Sequence, residues 1–225
     1  MPHDSIWTFF IDNLISKEIN NKNVLEIGSF HKYGGIRKLI ETFFKPTSYT
    51  GVDIRPGSGV DMVSSFEHLV DIYSEGAFDV IICVEVIEHI LDYKLLINTI
   101  KYLLGKSGVI FLTTRSVNFG YHLAPLDFWR FSIDHLKSLF LDMQIVRIIS
   151  DEQYPGVFIK TAKPENFQSL DLVNAKAYSI ILSKEINYVP PIEKSRFVCR
   201  LSQALSGTEI PLFSDIAAVI NRYIK

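Results

Sequence analysis

The residues best suited to chemistry are Glu26 and Gly28, which close the apolar stretch VLEIG at residues 24–28, and Asp53 further along the chain. A glycine at the carboxyl end of a strand lets a ligand approach the backbone, and an acid that ends the next strand can bind ribose hydroxyls. The spacing therefore predicts a site for a nucleoside-bearing cofactor. The plainer alternatives are a buried strand that happens to end in glycine and, for Asp53, a turn acid beside Arg55.

The loop after this stretch, GSFHKYGG at residues 28–35, indicates which cofactor fits. A dinucleotide-binding loop follows the pattern G-x-G-x-x-G, because its second glycine lets the backbone reach a pyrophosphate. Phe30 stands at that position in this chain. S-adenosylmethionine carries a nucleoside but no phosphate, so the loop favours this cofactor over NAD.

Polar residues also interrupt the apolar segment FDVIICVEVIEHI at residues 78–90. Glu85, Glu88 and His89 are not needed in a core strand, so they either serve the site or brace neighbouring loops. Further along, the segment 121–130 has no helical period and carries the candidates for an acceptor site, which are Tyr121, His122, Trp129 and Arg130.

The catalytic candidates in this segment are His122 and Asp127. His122 could act as a general base, because the pKa of an imidazole is near neutral. Stabilisation of the loop is the alternative role for His122, and packing is the alternative for Trp129.

The chain positions these residues by alternating short apolar runs with amphipathic stretches, a rhythm that predicts β-α-β units and a parallel sheet. The predicted strands are residues 23–27, 49–54, 78–84 and 108–114. Helices are predicted at residues 35–44, at 92–104 with Gly105 as C-cap, from an S-x-x-E capping box at 64–67, and after the N-cap Ser132. Residues 144–149 and 156–162 form a predicted antiparallel hairpin.

The bulk composition excludes several classes of protein. The 23 basic and 25 acidic residues give a net charge of −2 with no run of one sign, so no nucleic-acid partner is expected. Cys83 and Cys199 offer neither a disulfide framework nor a metal-ligand spacing, so we expect the reducing cytoplasm and no metal. We also expect no signal peptide and no membrane association, because the first ten residues lack the signal pattern and no apolar run is long enough to span a bilayer.

The chain resembles the class I S-adenosylmethionine-dependent methyltransferases, in particular their small-molecule, type 11-like branch. The resemblance covers residues 23–162 and rests on blocks in the family's order, which are VLEIGS, YTGVDIRPG at 49–57, VDMV at 60–63, FDVIICVEVIEHI, and LAPLDFWRFS at 123–132. It implies an α/β, Rossmann-like fold with a mostly parallel seven-stranded sheet that ends in an antiparallel hairpin, and with helices on both faces. Residues 1–163 would form the cofactor-binding domain.

Residues 164–225 would then form a C-terminal extension, for which the sequence predicts helices at 175–184 and 215–224. The extension would act as a lid or as an oligomer contact, for example in a homodimer. The resemblance does not cover it.

The resemblance also implies which residues hold the cofactor. It places Glu26 and Gly28 near the methionine part, Asp53 on the ribose hydroxyls, Ile54 against adenine, and the Cys83 backbone near the amino group. The predicted set is completed by Ser29, Phe30, Gly34 and Ser65. Two positions depart from the family pattern, since a glycine is usual at Phe30 and an acid is frequent near Ser65.

Three functions are compatible with these observations. The first is methyl transfer, in line, from S-adenosylmethionine to a small-molecule acceptor. The second is an NAD-type oxidoreductase, which the missing second glycine and the predicted hairpin disfavour. The third is a degenerate methyltransferase fold that serves as a binding module, because the loop at Phe30 is irregular.

Overall fold

The computed structural model describes residues 3–31, 35–120, 122 and 126–191 of the 225-residue chain. Gly34, Tyr121 and the predicted helix at 215–224 lie outside the described residues. Within them, no helix has the length and apolar character needed to cross a membrane.

In the described part of the chain, the fold is built from ten β-strands in two sheets, with helices between many of the strands along the chain. The strands are β1 (Asn23–Ile27), β2 (Ser48–Asp53), β3 (Met62–Val63), β4 (Phe78–Val84), β5 (Leu104–Arg115), β6 (Trp129–Arg130), β7 (Gln144–Asp151), β8 (Gly156–Ala162), β9 (Ala177–Ser179) and β10 (Lys184–Ile186). The helices are α1 (Asp4–Asn13), α2 (Ser16–Ile19), α3 (Ile36–Phe43), α4 (Leu69–Ile72), α5 (Tyr93–Leu103) and α6 (Ile133–Leu139).

The main sheet has seven strands in the order β3-β2-β1-β4-β5-β8-β7. Strands β1 to β5 are parallel to one another, whereas β8 is antiparallel to both β5 and β7. The predicted Rossmann-like sheet with a terminal hairpin is therefore confirmed.

Alternate residues of the central strands point to opposite faces of this sheet. Val24 and Val80 belong to a core that α1, α2 and α3 cover, whereas Leu25 and Ile81 belong to a second core that α5 and α6 cover. Both cores exclude water, which explains why the strands are apolar throughout.

The helix α1 was not predicted from the sequence, although it covers much of one face. Its residues Phe9 and Phe10 pack on Phe111 of β5, with ring centroids 6.4 and 5.3 Å apart. Ile6, Phe9 and Phe10 are buried and recur at helical spacing, so the periodicity was present in the sequence.

Two predicted caps are wrong, although the helices beside them form. The Oγ of Ser64 donates to the carbonyl of Ser65, 3.1 Å away, and a short 3-10 helix (Phe66–His68) leads into α4 without the capping box. The backbone N–H of Ser64 already donates to the carbonyl of Asp53 at the end of β2, which keeps Ser64 extended. Gly105 is not a C-cap either, because α5 ends at Leu103 and β5 begins immediately with Leu104, which pairs with β4.

The predicted helix at residues 175–184 is wrong, because β9 and β10 occupy this segment. Strand β9 pairs antiparallel with both β6 and β10. Burial alternates along it, with Ala177 and Ser179 buried and Tyr178 partly exposed, which is the period of a strand. Leu172 and Ile186 join the core beneath α5, so residues 164–191 pack on the sheet; a domain boundary at 163 stays a prediction.

A capping box begins α6, which follows directly on the acceptor-side segment. The Oγ of Ser132 accepts from the backbone N–H of His135, and Nδ1 of His135 accepts from the backbone N–H of Ser132, both at 3.1 Å. Because the backbone N–H of His135 loses its side-chain acceptor, we expect Ser132→Ala to reduce the free energy of unfolding by about 1 kcal/mol in urea denaturation. Ser74→Ala is the control, since Ser74 is exposed and its hydroxyl makes no hydrogen bond to another described residue; equal losses in the two variants would contradict the prediction.

Candidate functional site

A cleft of about 420 Å³ opens at the carboxyl ends of β1, β2 and β4. Its walls include six of the predicted cofactor residues, which are Glu26, Gly28, Ser29, Phe30, Asp53 and Ile54. Glu85, His89, Arg115 and His122 also line it. The parallel strand order brings these distant positions to one edge of the sheet.

Gly28 is required by the shape of the turn that follows β1. Its φ is +75°, a conformation that side-chain-bearing residues rarely adopt. A Cβ at this position would also lie 2.1 Å from Cγ2 of Val86. The glycine therefore allows the β1 and β4 ends of the cleft to approach each other.

Asp53, the last residue of β2, fixes the loop across the cleft. Its Oδ2 accepts from the backbone N–H of Phe30 at 3.2 Å, and its Oδ1 accepts from the backbone N–H of Arg55 at 2.9 Å. A carboxylate has about four lone-pair sites, so it can accept two further hydrogen bonds. Asp53 can hold the loop and still bind a pair of hydroxyl groups.

Phe30 replaces the expected glycine without closing the cleft. Its ring packs under the guanidinium of Arg55, 4.8 Å from the ring centroid, and lies against Gly57. A Cβ on Gly57 would stand 2.4 Å from the ring, so the glycine at 57 makes space for the aromatic side chain. The departure from the family pattern is thus accommodated by a neighbouring loop.

Glu26 is a buried acid on the cleft wall, only 4% exposed. Its Oε2 accepts from the hydroxyl of Tyr49 at 2.8 Å, and no other described residue is hydrogen-bonded to Oε1. Burial raises the pKa of Glu26 to about 7, and the Tyr49 hydrogen bond opposes part of that rise. A cationic group in the cleft would favour the ionised form.

Two predicted cofactor residues lie off the wall. Ser64 and Phe66 line the cleft, whereas Ser65 between them does not. The side chain of Cys83 is fully buried in the core beneath α5, where burial raises the pKa of its thiol. Only the backbone of Cys83 is therefore a candidate for contact, as the family resemblance implies.

On the acceptor side, His122 reaches the cleft and Asp127 supports it from behind. Oδ2 of Asp127 accepts from the backbone N–H of His122 at 2.9 Å and lies 3.1 Å from its Nδ1. Burial alone would raise the pKa of Asp127, but hydrogen bonds from Arg130 and His122 outweigh it and lower the pKa. Asp127 is fully buried and off the wall, so it acts on the site through His122.

Trp129 and Arg130, predicted as substrate-binding, are both buried and do not line the cleft. Nε1 of Trp129 donates to the carbonyls of Ile90 and Leu91, at 3.0 and 3.2 Å. Arg130 binds both carboxylate oxygens of Asp127, at 2.5 and 2.6 Å. Both residues hold the wall together, because their polar groups are engaged by neighbouring backbone and carboxylate.

Arg115, which the sequence analysis missed, pairs through Nε with Oε2 of Glu85. Glu85 has a φ of +56° and its Oε1 accepts from the hydroxyl of Thr113 at 3.0 Å. Arg115 is the last residue of β5, so the rule that singled out Asp53, a charged group at the carboxyl end of an apolar strand, could have found it.

Glu88 and His89 lie in the 3-10 turn after β4 and are strongly affected by burial. Burial raises the pKa of Glu88 well above its usual range, and the nearby charge of Glu85 raises it further. Burial also lowers the pKa of His89 to about 4, so its imidazole is neutral at physiological pH. The two side chains differ in exposure, since His89 lines the cleft and Glu88 is completely buried.

Comparison with known proteins identifies the family. A family model described as a methyltransferase domain matches residues 7–182, which is more than half of the chain. The chain belongs to the methyltransferase-domain family. It is a methyltransferase, so the predicted enzyme class is confirmed. No curated protein sequence matches the chain significantly.

Solved structures share the fold of this methyltransferase at low identity. A protein from Listeria monocytogenes described as an S-adenosylmethionine dependent methyltransferase has a TM-score of 0.54 and 12% identity, over 71% of this chain and 96% of that chain. An S-adenosylmethionine dependent methyltransferase from Mesorhizobium loti has a TM-score of 0.54 and 10% identity, over 70% and 97%. The 1,6-didemethyltoxoflavin-N1-methyltransferase of Burkholderia thailandensis has a TM-score of 0.51 and 13% identity, over 64% and 72%.

The raised pKa of Glu26 makes the stability of the methyltransferase depend on pH. The unfolded chain releases this proton near a pKa of about 4.3, whereas the folded chain retains it until about pH 7. The contribution of Glu26 to stability is thus complete below the unfolded pKa and is lost as the pH rises through the folded one. We expect the free energy of unfolding of wild type, measured by urea denaturation, to fall by about 3 kcal/mol more than that of Glu26→Gln when the pH is raised from about 5 to about 8.

Glu67→Gln, at an exposed position, is the control for this experiment, and its free energy of unfolding should depend on pH as that of wild type does. If the free energy of unfolding of Glu26→Gln also shows the wild-type dependence on pH, Glu26 is not the group that binds the proton on folding.

The buried Arg130 guanidinium stabilises the acceptor-side wall through a set of bonds that lysine cannot copy. Besides the Asp127 carboxylate, it donates to the carbonyls of Phe119, Gly120 and Trp129 at 2.6 to 3.1 Å. We expect Arg130→Lys to lower the free energy of unfolding by about 3 kcal/mol, because one ammonium leaves buried acceptors unpaired. Arg147→Lys, on an exposed position of β7, should change it by less than about 0.5 kcal/mol in the same urea titration; comparable losses would contradict the assignment.

Proposed function

We propose that this enzyme transfers a methyl group from S-adenosylmethionine to a small-molecule acceptor held beside His89, Arg115 and His122. The observation that carries this proposal is the cleft at the carboxyl ends of β1, β2 and β4, which Glu26, Gly28 and Asp53 line together with His89 and His122. When bound, S-adenosylmethionine supplies a methyl group on a sulfonium centre, which the nucleophilic atom of the acceptor displaces in line.

The cleft offers polar groups that could form hydrogen bonds with the donor. The hydroxyl of Ser29 is buried without a hydrogen-bond partner among the described residues, and Ser29 lines the cleft. Asp53 has acceptor capacity left for two ribose hydroxyls, and Oε1 of Glu26 can accept from an amino group. Ile54 is 58% exposed and adjoins these acids, which suits stacking of an adenine on its side chain.

Several observations favour a small acceptor. A cleft of about 420 Å³ is in the range of small-ligand sites, and the chain has no strongly basic character. The Burkholderia thailandensis neighbour was solved with 1,6-didemethyltoxoflavin and S-adenosylhomocysteine bound. His122 would face such an acceptor with its Nε2, because Nδ1 is engaged by Asp127.

The alternative of an NAD-type oxidoreductase lacks support from the loop. The Phe30 ring, packed between Arg55 and Gly57, occupies the position at which a dinucleotide loop has its second glycine. A degenerate fold that has lost the donor site is the remaining alternative, and calorimetry distinguishes it, because that fold would bind no donor.

Calorimetry should show S-adenosylmethionine binding to wild type and no binding of NAD. We expect Asp53→Ala to weaken binding of S-adenosylmethionine by more than about tenfold, since hydrogen bonds from ribose hydroxyls to a carboxylate contribute about 1.5 to 3 kcal/mol each.

The control for this measurement is Asp134→Ala, whose carboxylate is 91% exposed on α6, and it should bind like wild type. A folded wild type that binds no S-adenosylmethionine would refute the donor proposal. Unchanged affinity in Asp53→Ala would refute the ribose assignment while leaving the enzyme class intact.

A further inference from the structure

Three side chains at the acceptor end of the cleft meet in an arrangement that methyl transfer itself does not require. One ligating atom from each of Glu88, His89 and His122 lies within 4.8 Å of the other two. Glu88 and His89 come from the turn after β4, and His122 comes from the segment after β5, so the sheet topology brings them together. The imidazole centroids of the two histidines are 4.8 Å apart.

Both histidines have their Nδ1 atom committed to a group that can only accept. Nδ1 of His89 lies 2.5 Å from the carbonyl oxygen of Leu126, and Nδ1 of His122 lies 3.1 Å from a carboxylate oxygen of Asp127. A carbonyl and a carboxylate both require the proton on Nδ1, which leaves the lone pair on Nε2. Metal-binding histidines typically show this arrangement, in which a backbone carbonyl or a carboxylate orients the ring.

The carboxylate of Glu88 supplies a second, independent observation. Glu88 is fully buried, and its Oε2 accepts from the hydroxyl of Thr114 at 3.0 Å. Its Oε1 is buried with no hydrogen-bond partner among the described residues. A buried carboxylate oxygen without a partner is costly, and a bound cation would relieve that cost.

The neighbouring positive charge does not satisfy Glu88, because Arg115 is already paired with Glu85. The guanidinium of Arg115 also stacks on the ring of Phe119, 4.1 Å from its centroid. Glu85 and Arg115 therefore form one pair, and Glu88 is the carboxylate left for another cation.

We infer that Glu88, His89 and His122 bind one divalent metal ion through a carboxylate oxygen and two imidazole Nε2 atoms. This differs from the sequence-based expectation of no metal, which rested on cysteine spacing alone. Two imidazoles with one carboxylate suit zinc, cobalt, manganese or ferrous ions better than calcium or magnesium, which prefer oxygen ligands. Around a tetrahedral ion with bonds of about 2.1 Å the ligand atoms are about 3.5 Å apart, so the three side chains would have to draw together from their present separation of up to 4.8 Å to complete the site.

Three protein ligands leave coordination positions open. His89 and His122 line the cleft, so these positions would face the space proposed for the acceptor. A water molecule or an oxygen atom of the acceptor can fill them, and the ion would then orient that acceptor toward the donor.

The test uses the full chain, stripped of metal with a chelator and titrated with Co²⁺ during equilibrium dialysis and visible spectroscopy. We expect one Co²⁺ per chain with the ligand-field bands of a nitrogen- and oxygen-coordinated ion. His122→Ala and Glu88→Gln should each weaken Co²⁺ binding by more than about tenfold. His68→Ala is the matched control, because the His68 side chain is 71% exposed near an acid, and its affinity should equal that of wild type.

The outcomes separate this inference from the proposed function. Absence of stoichiometric Co²⁺ binding by folded wild type would overturn the metal site, and so would an equal loss of affinity in His68→Ala and His122→Ala. Glu88→Gln provides a variant of nearly unchanged shape, whose folding is checked by thermal unfolding. Binding of S-adenosylmethionine is measured on the same metal-free wild type, so a protein that takes Co²⁺ but no donor would refute the proposed function and leave the metal site standing.

Discussion

The carboxyl ends of β1, β2, β4 and β5 converge on one edge of the sheet, and each chemical group of the site depends on that convergence. Parallel strands place their ends side by side only when crossover helices return the chain to the opposite edge, as α3 and α5 do here. Gly28 then permits a close approach of the β1 and β4 ends, since its missing Cβ leaves room for Val86. A side chain at residue 28 would separate the two halves of the cleft.

Four of the carboxylates around this edge have different partners. Glu26 is hydrogen-bonded to Tyr49, Glu85 is paired with Arg115, and Asp127 is bound by the fork of Arg130. Glu88 alone combines complete burial with an oxygen that lacks a partner among the described residues. Because an unpaired buried charge is so unfavourable, the contrast between Asp127 and Glu88 supports the cation site proposed at Glu88.

The sequence predicted the sheet and the donor side of the cleft, because both depend on local patterns. Apolar runs specify buried parallel strands, and Gly28 and Asp53 occupy the strand ends where a cofactor binds. The acceptor side was predicted less well. Trp129 and Arg130 each carry a polar group, so the sequence suggested that they bind the acceptor. In the structure they support the wall of the cleft from inside the protein, and only their contacts with Leu91 and Asp127 reveal this.

The errors in the extension have a similar origin. The sequence of residues 175–184 allows a helix, but β6 offers an unpaired strand edge, and pairing with it draws the chain into β9. Local propensity gives no information about such a distant partner. The proposed metal-ligand group is invisible to the sequence for the same reason, since Glu88 and His89 are far from His122 in the chain and their spacing forms no sequence motif.

Nε2 of His122 could serve either as a base or as a metal ligand. Asp127, held by Arg130, engages Nδ1 of His122, so Nε2 is the ring nitrogen left for a ligand or an acceptor. The lone pair on Nε2 can take a proton from the acceptor or bind a cation, but it cannot do both at once. The proximity of His89, itself neutral and oriented by Leu126, favours the cation, because His89, His122 and Glu88 each bring a ligating atom within 4.8 Å of the other two. In this arrangement the ion would hold an acceptor hydroxyl toward the donor and lower its pKa, so that its proton can pass to water before the oxygen attacks the methyl group.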